Sequence, residues 1–310
     1  MRRRILAGIT LSIAAWLGAG TQVTHAAPVT DAENTAKYNC DRECLRGVAD
    51  LYFKAFAAHD PSMLPLAASA KYTELDSPVK IGEGLWRTAS GAPSYRLEID
   101  DPQTGGIGLD AVILDNGVPT ILATRLKVEN HKITEIESIL VHKGEKSVFC
   151  APEKLVQPSA HFTRAIPAPE QNSRFELMAA ADAYFRAFET EGTPNYIRAP
   201  LIPATLRVEN GLQATNVATS NHPAIDAASQ FDQAIFKDTL IYDRRYPVVD
   251  VEHGVALALV RFHHKGPSRA GIDAQRGDTV VAEFFAIEQG KIVEIQATWI
   301  QPSSQVETPW

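Results

Sequence analysis

The chain has 310 residues, of which 45% are apolar and 22% charged, with a formal net charge of −7. This composition excludes a disordered chain and fits about two domains at roughly 150 residues each. The acidic balance, with no basic stripe interleaved with aromatics beyond the first residues, excludes a nucleic-acid binder.

Arg2, Arg3 and Arg4 precede an apolar run over 5–17 and small residues up to Thr24-His25-Ala26. This pattern predicts a removable signal peptide over 1–26. The run is too short to cross a bilayer comfortably, and no later run is longer and more apolar. The expected mature chain is therefore soluble and exported, either periplasmic or secreted. Cys40 and Cys44 precede the first predicted helix, and Cys150 follows the last strand of the first half. Pairing either with Cys150 would tie the start of a domain to its end, a contribution of about 4 kcal/mol in the chain-entropy model. An odd count leaves at least one thiol free or paired between chains. The spacing lacks the second half of a zinc pattern, so neither a metal nor a cofactor is expected.

Two segments recur. Ala49-Asp50-Leu51-Tyr52-Phe53-Lys54-Ala55-Phe56 reads like Ala181-Asp182-Ala183-Tyr184-Phe185-Arg186-Ala187-Phe188. Both carry apolar residues at helical spacing, with an inward Tyr-Phe-Phe stripe. The segment 126–136 parallels 285–295, each a pair of β-rich runs around a polar turn, which is a hairpin signal. Further strands are expected at 111–114, 120–127, 248–251, 255–263 and 279–287. Pro152, Pro158, Pro167 and Pro169 predict an extended linker. The expected division is a first domain over 27–150, a linker over 151–172, a second domain over 173–301 and a tail over 302–310 anchored by Trp310. Each domain reads as α+β, with one N-terminal helix in a curved antiparallel sheet. Such a cone leaves a pocket at its open end, and two of them can pack as an intramolecular pseudo-dimer.

This order of elements resembles the nuclear-transport-factor-two-like superfamily, which includes ketosteroid isomerase, scytalone dehydratase and SnoaL-like polyketide cyclases. More closely, the chain resembles a duplicated, exported fungal and bacterial family of unknown function. In the first half the resemblance is carried by Cys40-Asp41-Arg42, His59-Asp60-Pro61, Tyr72-Thr73-Glu74, Gly82-Glu83-Gly84-Leu85-Trp86, Asp101-Pro102 and Arg125-Leu126-Lys127-Val128. In the second half it is carried by Arg207-Val208-Glu209-Asn210-Gly211, Arg244-Arg245-Tyr246-Pro247 and Glu252-His253-Gly254. The family pattern implies a second-half disulfide whose cysteines this chain lacks. The superfamily implies a pocket used for proton transfer, elimination or hydration.

Three groups of residues could carry chemistry. Tyr72 and Glu74 share a strand face and, with Trp86 and Asp101, could place a desolvated general base beside a phenolic donor. Structurally, Glu74 would instead end a strand in water and Trp86 would fill core. Arg125 and Glu137 face one another across the first closing hairpin, as a substrate-carboxylate clamp or as a cross-strand ion pair. In the second copy Phe284 and Gln296 replace them, so both charges vanish together. Arg207, Glu209, Asn210, Arg245 and Asp250, with Thr215, Asn216 and Tyr246, form either a binding loop or a hydrogen-bonded brace. Within this group Arg245 and Asp250 are expected to pair. The adjacent His263 and His264 point to opposite strand faces and do not suit one ion. These features lead to an exported, cofactor-independent lyase or isomerase acting on a small molecule, with Glu74, Tyr72 and Arg125 as catalytic residues. The alternative is a non-catalytic ligand-binding or scaffold protein of the same fold.

Overall fold

The computed structural model describes residues 40–145, 148–218, 223–232, 239–264, 277–302 and 307–310. The expected signal peptide lies outside the described residues.

Helix α1 (Arg42–Ala57) starts where the Asp41 carboxylate accepts the Cys44 amide at 2.9 Å, with Glu43 in its first turn. Both features favour a helix N-terminus. Its buried stripe is Leu45, Val48, Ala49, Tyr52, Phe53, Ala55 and Phe56. After it come β1 (Leu66–Glu74), β2 (Ser77–Pro78), the one-turn helix α2 (Leu85–Thr88), β3 (Ala89–Asp101), β4 (Gly106–Asp115), β5 (Val118–Glu129) and β6 (Lys132–His142). Then follow the short helix α3 (Ala160–Thr163) and α4 (Arg174–Thr190), which opens with a Ser173–Glu176 capping box. Its stripe of Leu177, Ala180, Ala181, Tyr184, Phe185, Ala187 and Phe188 repeats that of α1. The second half continues with β7 (Leu201–Glu209), β8 (Leu212–Gln213), α5 (Ala227–Asp232), β9 (Thr239–Asp250), β10 (Val255–His264), β11 (Gly277–Glu288) and β12 (Lys291–Ile300).

Two six-stranded sheets result, ordered β2-β1-β6-β5-β4-β3 and β8-β7-β12-β11-β10-β9. The chain is thus two tandem α+β domains with one topology. Each sheet is antiparallel except where β1 runs parallel to β6, and β7 to β12. Pro247 sits in β9, an edge strand, where its missing N–H breaks no ladder.

Strand alternation gives each sheet two apolar faces. Ile107, Leu109, Ala111, Leu122 and Leu126 turn towards α1. Ala256, Ala258, Val281, Phe285 and Ile295 turn towards α4. The opposite faces meet each other: Leu97, Ile99, Val112, Ile121 and Val141 pack with Val248, Leu257, Val280, Phe284 and Ala286 in one buried cluster. Each large side chain buried there stabilises the pairing of the halves by about 1.5–3 kcal/mol.

The segment 151–172, expected to be extended, is instead docked. Phe162 on α3 enters the cluster between the sheets. Ala151 N–H bonds Asn210 O at 2.9 Å, and Ile166 N–H bonds Glu252 O at 2.8 Å. Gly211, at φ +85°, lets the Ala151 carbonyl approach to 2.3 Å of where a Cβ would stand. The cysteine pairing also differs from expectation. Cys40 bonds Cys44, and Cys150 is free. The bridge closes a short loop at the start of α1 rather than tying the ends of the domain. Among the described residues no helix is long and apolar enough to cross a membrane.

Candidate active sites inside the two cones

In the first cone, β1 points Tyr72 and Glu74 towards α1. The Tyr72 hydroxyl donates to the Glu74 carboxylate, and Leu85 N–H donates to the same oxygen at 2.7 Å. Gly84, at φ +60°, makes this possible, because a Cβ there would lie 2.2 Å from that oxygen. Trp86 is fully buried, edge-on to Phe56 at 5.0 Å and to Tyr52 at 5.9 Å. Burial first, then the neighbouring Tyr52 and Glu74, push the Tyr72 phenol above its ordinary value. It therefore remains a proton donor. Behind it Thr124 and Ser138 bond each other across β5 and β6 at 3.1 Å.

In the second cone Arg207 takes the place of Tyr72: Tyr72 stands opposite Ile136, and Arg207 opposite the equivalent Ile295. Arg207 bonds Glu209, the counterpart of Glu74, and the Gln230 side chain. The counterpart of Thr124 is Glu283, whose strand neighbours are Ala258 and Ala297. Ala297 replaces Ser138, so the hydroxyl supplied there in the first cone is absent, and Ala258 replaces Leu109. Glu283 is only 4% exposed, and its Oε2 has no hydrogen-bond partner. Burial pushes its carboxyl up to about 8, with Glu209 adding to the rise and Arg207 opposing it. The Tyr184 hydroxyl is also buried, beside the Arg207 guanidinium. Tyr184 stacks edge-on with Phe188, Phe231 and Phe285 at centroid distances of 5.0, 5.7 and 5.3 Å.

The remaining sequence candidates lie between the halves. Arg125 is on the sheet face opposite Tyr72 and Glu74, so these three do not converge. It bonds Glu137 at 3.0 Å and Glu135 at 2.6 Å, and its guanidinium lies 4.9 Å from the centroid of the Trp310 ring. Glu137 also receives two bonds from Arg245, at 2.6 and 3.0 Å. Arg245 therefore does not pair with Asp250, because the packing of the sheets brings it to the other half. Asp250 takes both guanidinium nitrogens of Arg42 at 2.7 and 2.8 Å, and His253 at 2.8 Å. Burial alone would raise the Asp250 carboxyl; the hydrogen bonds from His253 and Arg42 outweigh it and hold the group at about 2. Asp101 does not join Tyr72 and Glu74 either. It accepts from Arg174 at 2.7 Å and from Val249 N–H at 3.0 Å. Asn210 is a brace, donating to Phe149 O and Trp299 O and accepting from Trp299 N–H.

These contacts are reciprocal. Arg42 and Arg174 open equivalent helices, and Asp101 and Asp250 close equivalent strands. Each arginine reaches the aspartate of the other half, as a twofold relation requires. Likewise Glu137 receives Arg245, while its counterpart Gln296 receives the Tyr95 hydroxyl at 2.9 Å and donates to Asp110. Burial pushes Asp110 up to about 6. A second carboxylate at position 296 would face Asp110 directly, which gives a physical reason for the glutamine. A cleft of about 350 Å³ between the halves is lined by Arg42, Arg46, Asp100, Phe162 and His253 among others.

Sequence reasoning missed Glu283 and the Tyr184 hydroxyl. A signal was present for the first: Val281, Glu283, Phe285 and Ile287 share one strand face, so a carboxylate falls among inward apolar residues.

Comparison with known proteins adds little beyond the fold. A family model described as a domain of unknown function (DUF8021) matches residues 170–299. No curated protein matches the chain. Among solved structures, it is similar to a candidate isomerase from Rhodopseudomonas palustris (14% identity, TM-score 0.27, covering 40% of this chain and 88% of that one). It is also similar to a candidate ketosteroid isomerase from Kribbella flavida (13%, 0.25, 42% and 95%) and a candidate SnoaL-like polyketide cyclase from a Jannaschia species (14%, 0.26, 43% and 90%). Similarity at this level decides nothing about the reaction.

Proposed function

We propose that the chain is an exported small-molecule enzyme that moves a proton without a cofactor, an isomerase or lyase centred on the second cone. The observation that carries this reading is Glu283, a buried carboxyl with an unpartnered oxygen, pushed up to about 8 inside an aromatic wall. A carboxyl in that range can both take and return a proton near neutral pH, which general acid–base catalysis requires. Arg207 and the Tyr184 hydroxyl are the groups available to stabilise an oxyanion formed when a carbon acid loses its proton. The phenylalanines would keep water from quenching that charge. The substrate class is a small carbonyl compound with an acidic C–H. The first copy acts as the rigid partner of an intramolecular pseudo-dimer.

A second reading puts the base at Glu74 with Tyr72 as donor, because the two form a phenol–carboxylate pair inside the first cone. Against it, the bonded Glu74 oxygen already takes two donors of its own chain. The test is deuterium uptake from heavy water into a panel of small ketones and β-keto acids, followed by proton resonance. Uptake by the parent that persists in Glu283→Gln overturns the assignment to Glu283.

A further inference from the structure

We infer that Cys40, Cys44 and His131 form a redox-gated site for a soft, thiophilic metal ion. Cys40 lies just before α1 and Cys44 in its first turn, and they are bridged with Cα atoms 5.2 Å apart. His131 comes from the β5–β6 turn, with its Nδ1 3.5 Å from the Cys44 sulfur. The two sulfurs and the imidazole nitrogen all lie within 4.8 Å of one another. Cys40 is buried, Cys44 half-buried and His131 exposed, so an ion can arrive from solvent on the histidine side.

The second copy shows what the same place needs for structure alone. There Asn172 precedes the helix cap, and its side-chain oxygen accepts Gly290 N–H from the β11–β12 turn at 3.1 Å. That bond fastens the helix start to the hairpin. The hairpin turn itself has two left-handed residues, Gln289 and Gly290, at φ 50° and 71°. The first copy keeps this geometry with Asn130 and His131 at φ 50° and 60°. A histidine therefore occupies a conformation that favours glycine. Fastening and turn are both met by simpler residues in one copy, whereas the other carries three metal-ligand side chains in contact.

Two electrons and two protons from a dithiol donor would break the Sγ–Sγ bond and leave two thiols. Binding of the ion then releases both thiol protons to solvent. Two thiolates and one imidazole suit zinc with a solvent ligand in the fourth position, or monovalent copper in a three-coordinate site.

The experiment uses the whole chain carrying Cys150→Ser, so that the free thiol cannot compete. Protein reduced with a phosphine is titrated anaerobically with Zn(II) or Cu(I) against a chromophoric chelator. Co(II) serves as an optical probe for thiolate ligation. The expected result is one ion per reduced chain, a thiolate charge-transfer band, and no tight binding to the oxidised form. His131→Gly should weaken binding at least about tenfold while the oxidised melting temperature holds or rises. Cys44→Ser should weaken it further. Equal affinity of the oxidised and reduced chains, or of His131→Gly and the parent, overturns the inference. So does a loss of fold on reduction that no added ion reverses.

Discussion

In the first cone the Glu74 carboxylate takes a phenol and a backbone amide, whereas in the second the Glu283 carboxyl sits between two alanines with one oxygen left over. Both cones share the helix stripe and the strand order. They differ in what the chain supplies to the acid: one oxygen of the half-buried Glu74 takes two donors, whereas Oε2 of the buried Glu283 takes none. An acid held by its own chain's donors is a structural group, and a buried oxygen without one is poised to act on something else. The sharpest way to break this contrast is Glu283→Gln, which should lower turnover about 10²–10⁴-fold, the usual contribution of a positioned acid–base group. Its effect on stability has a defined sign. An ordinary glutamate ionises near 4.5, whereas Glu283 keeps its proton up to about 8. Between those pH values the native state binds the extra proton, so stability falls as pH rises through the window. The variant lacks this slope, and urea titrations should find it more stable than the parent at pH 9 yet no more stable at pH 4.

The contacts between the halves set a second tier of effects, on stability rather than rate. Glu137 balances Arg125 within its own half and Arg245 from the other. Removing it takes from Arg245 the carboxylate it bonds and leaves Arg125 with Glu135 alone, so Glu137→Ala should cost about 3 kcal/mol, read as a shift of the denaturation midpoint. Gln296→Glu probes the related position from the other side: it sets a carboxylate against Asp110 and should destabilise most above pH 6, where both are ionised. The Asp250 pair is smaller and pH-dependent. Its folded value of about 2 lies below the ordinary 3.8, so its contribution of about 2 kcal/mol is full above pH 4 and lost as pH falls towards 2. Asp250→Asn should flatten that part of the acid-unfolding profile.

The fold was legible because its signals are local. The Tyr-Phe-Phe stripes gave both long helices, and the polar turns gave the closing hairpins. Strand alternation even gave the facing of Arg125 with Glu137 and of Phe284 with Gln296, which the register contains. The partners of Arg42 and Arg245 were not legible: they lie 208 and 108 residues away and meet only because two sheets pack face to face. The disulfide was misjudged for the opposite reason. A pairing that spans a domain has the larger entropic effect, but the helix start already holds Cys40 and Cys44 within bonding distance. The seats of Glu283 and Glu74 differ by the residues across from them, alanine or serine, and that difference appears only once strands are paired.

Glu74→Gln is the smallest expected effect and the one that decides between the cones. Glutamine keeps a carbonyl oxygen where Glu74 accepts from Tyr72 and Leu85, so both donors retain an acceptor. What is lost is the charge on that acceptor, worth about 1 kcal/mol when neutral bonds replace charge-assisted ones. Turnover should fall far less than in Glu283→Gln, because the bonded oxygen keeps its two donors. Gly84→Ala is the companion measurement. Its Cβ would stand 2.2 Å from the carboxylate at a backbone angle that alanine resists, so it should displace Glu74 and lower the melting point while leaving the second cone intact. If turnover survives Gly84→Ala and Glu74→Gln but not Glu283→Gln, the first copy is a scaffold. A collapse of activity in Glu74→Gln at unchanged melting temperature would move the chemistry to the first cone, because charge on the bonded oxygen would then matter more than its hydrogen bonds.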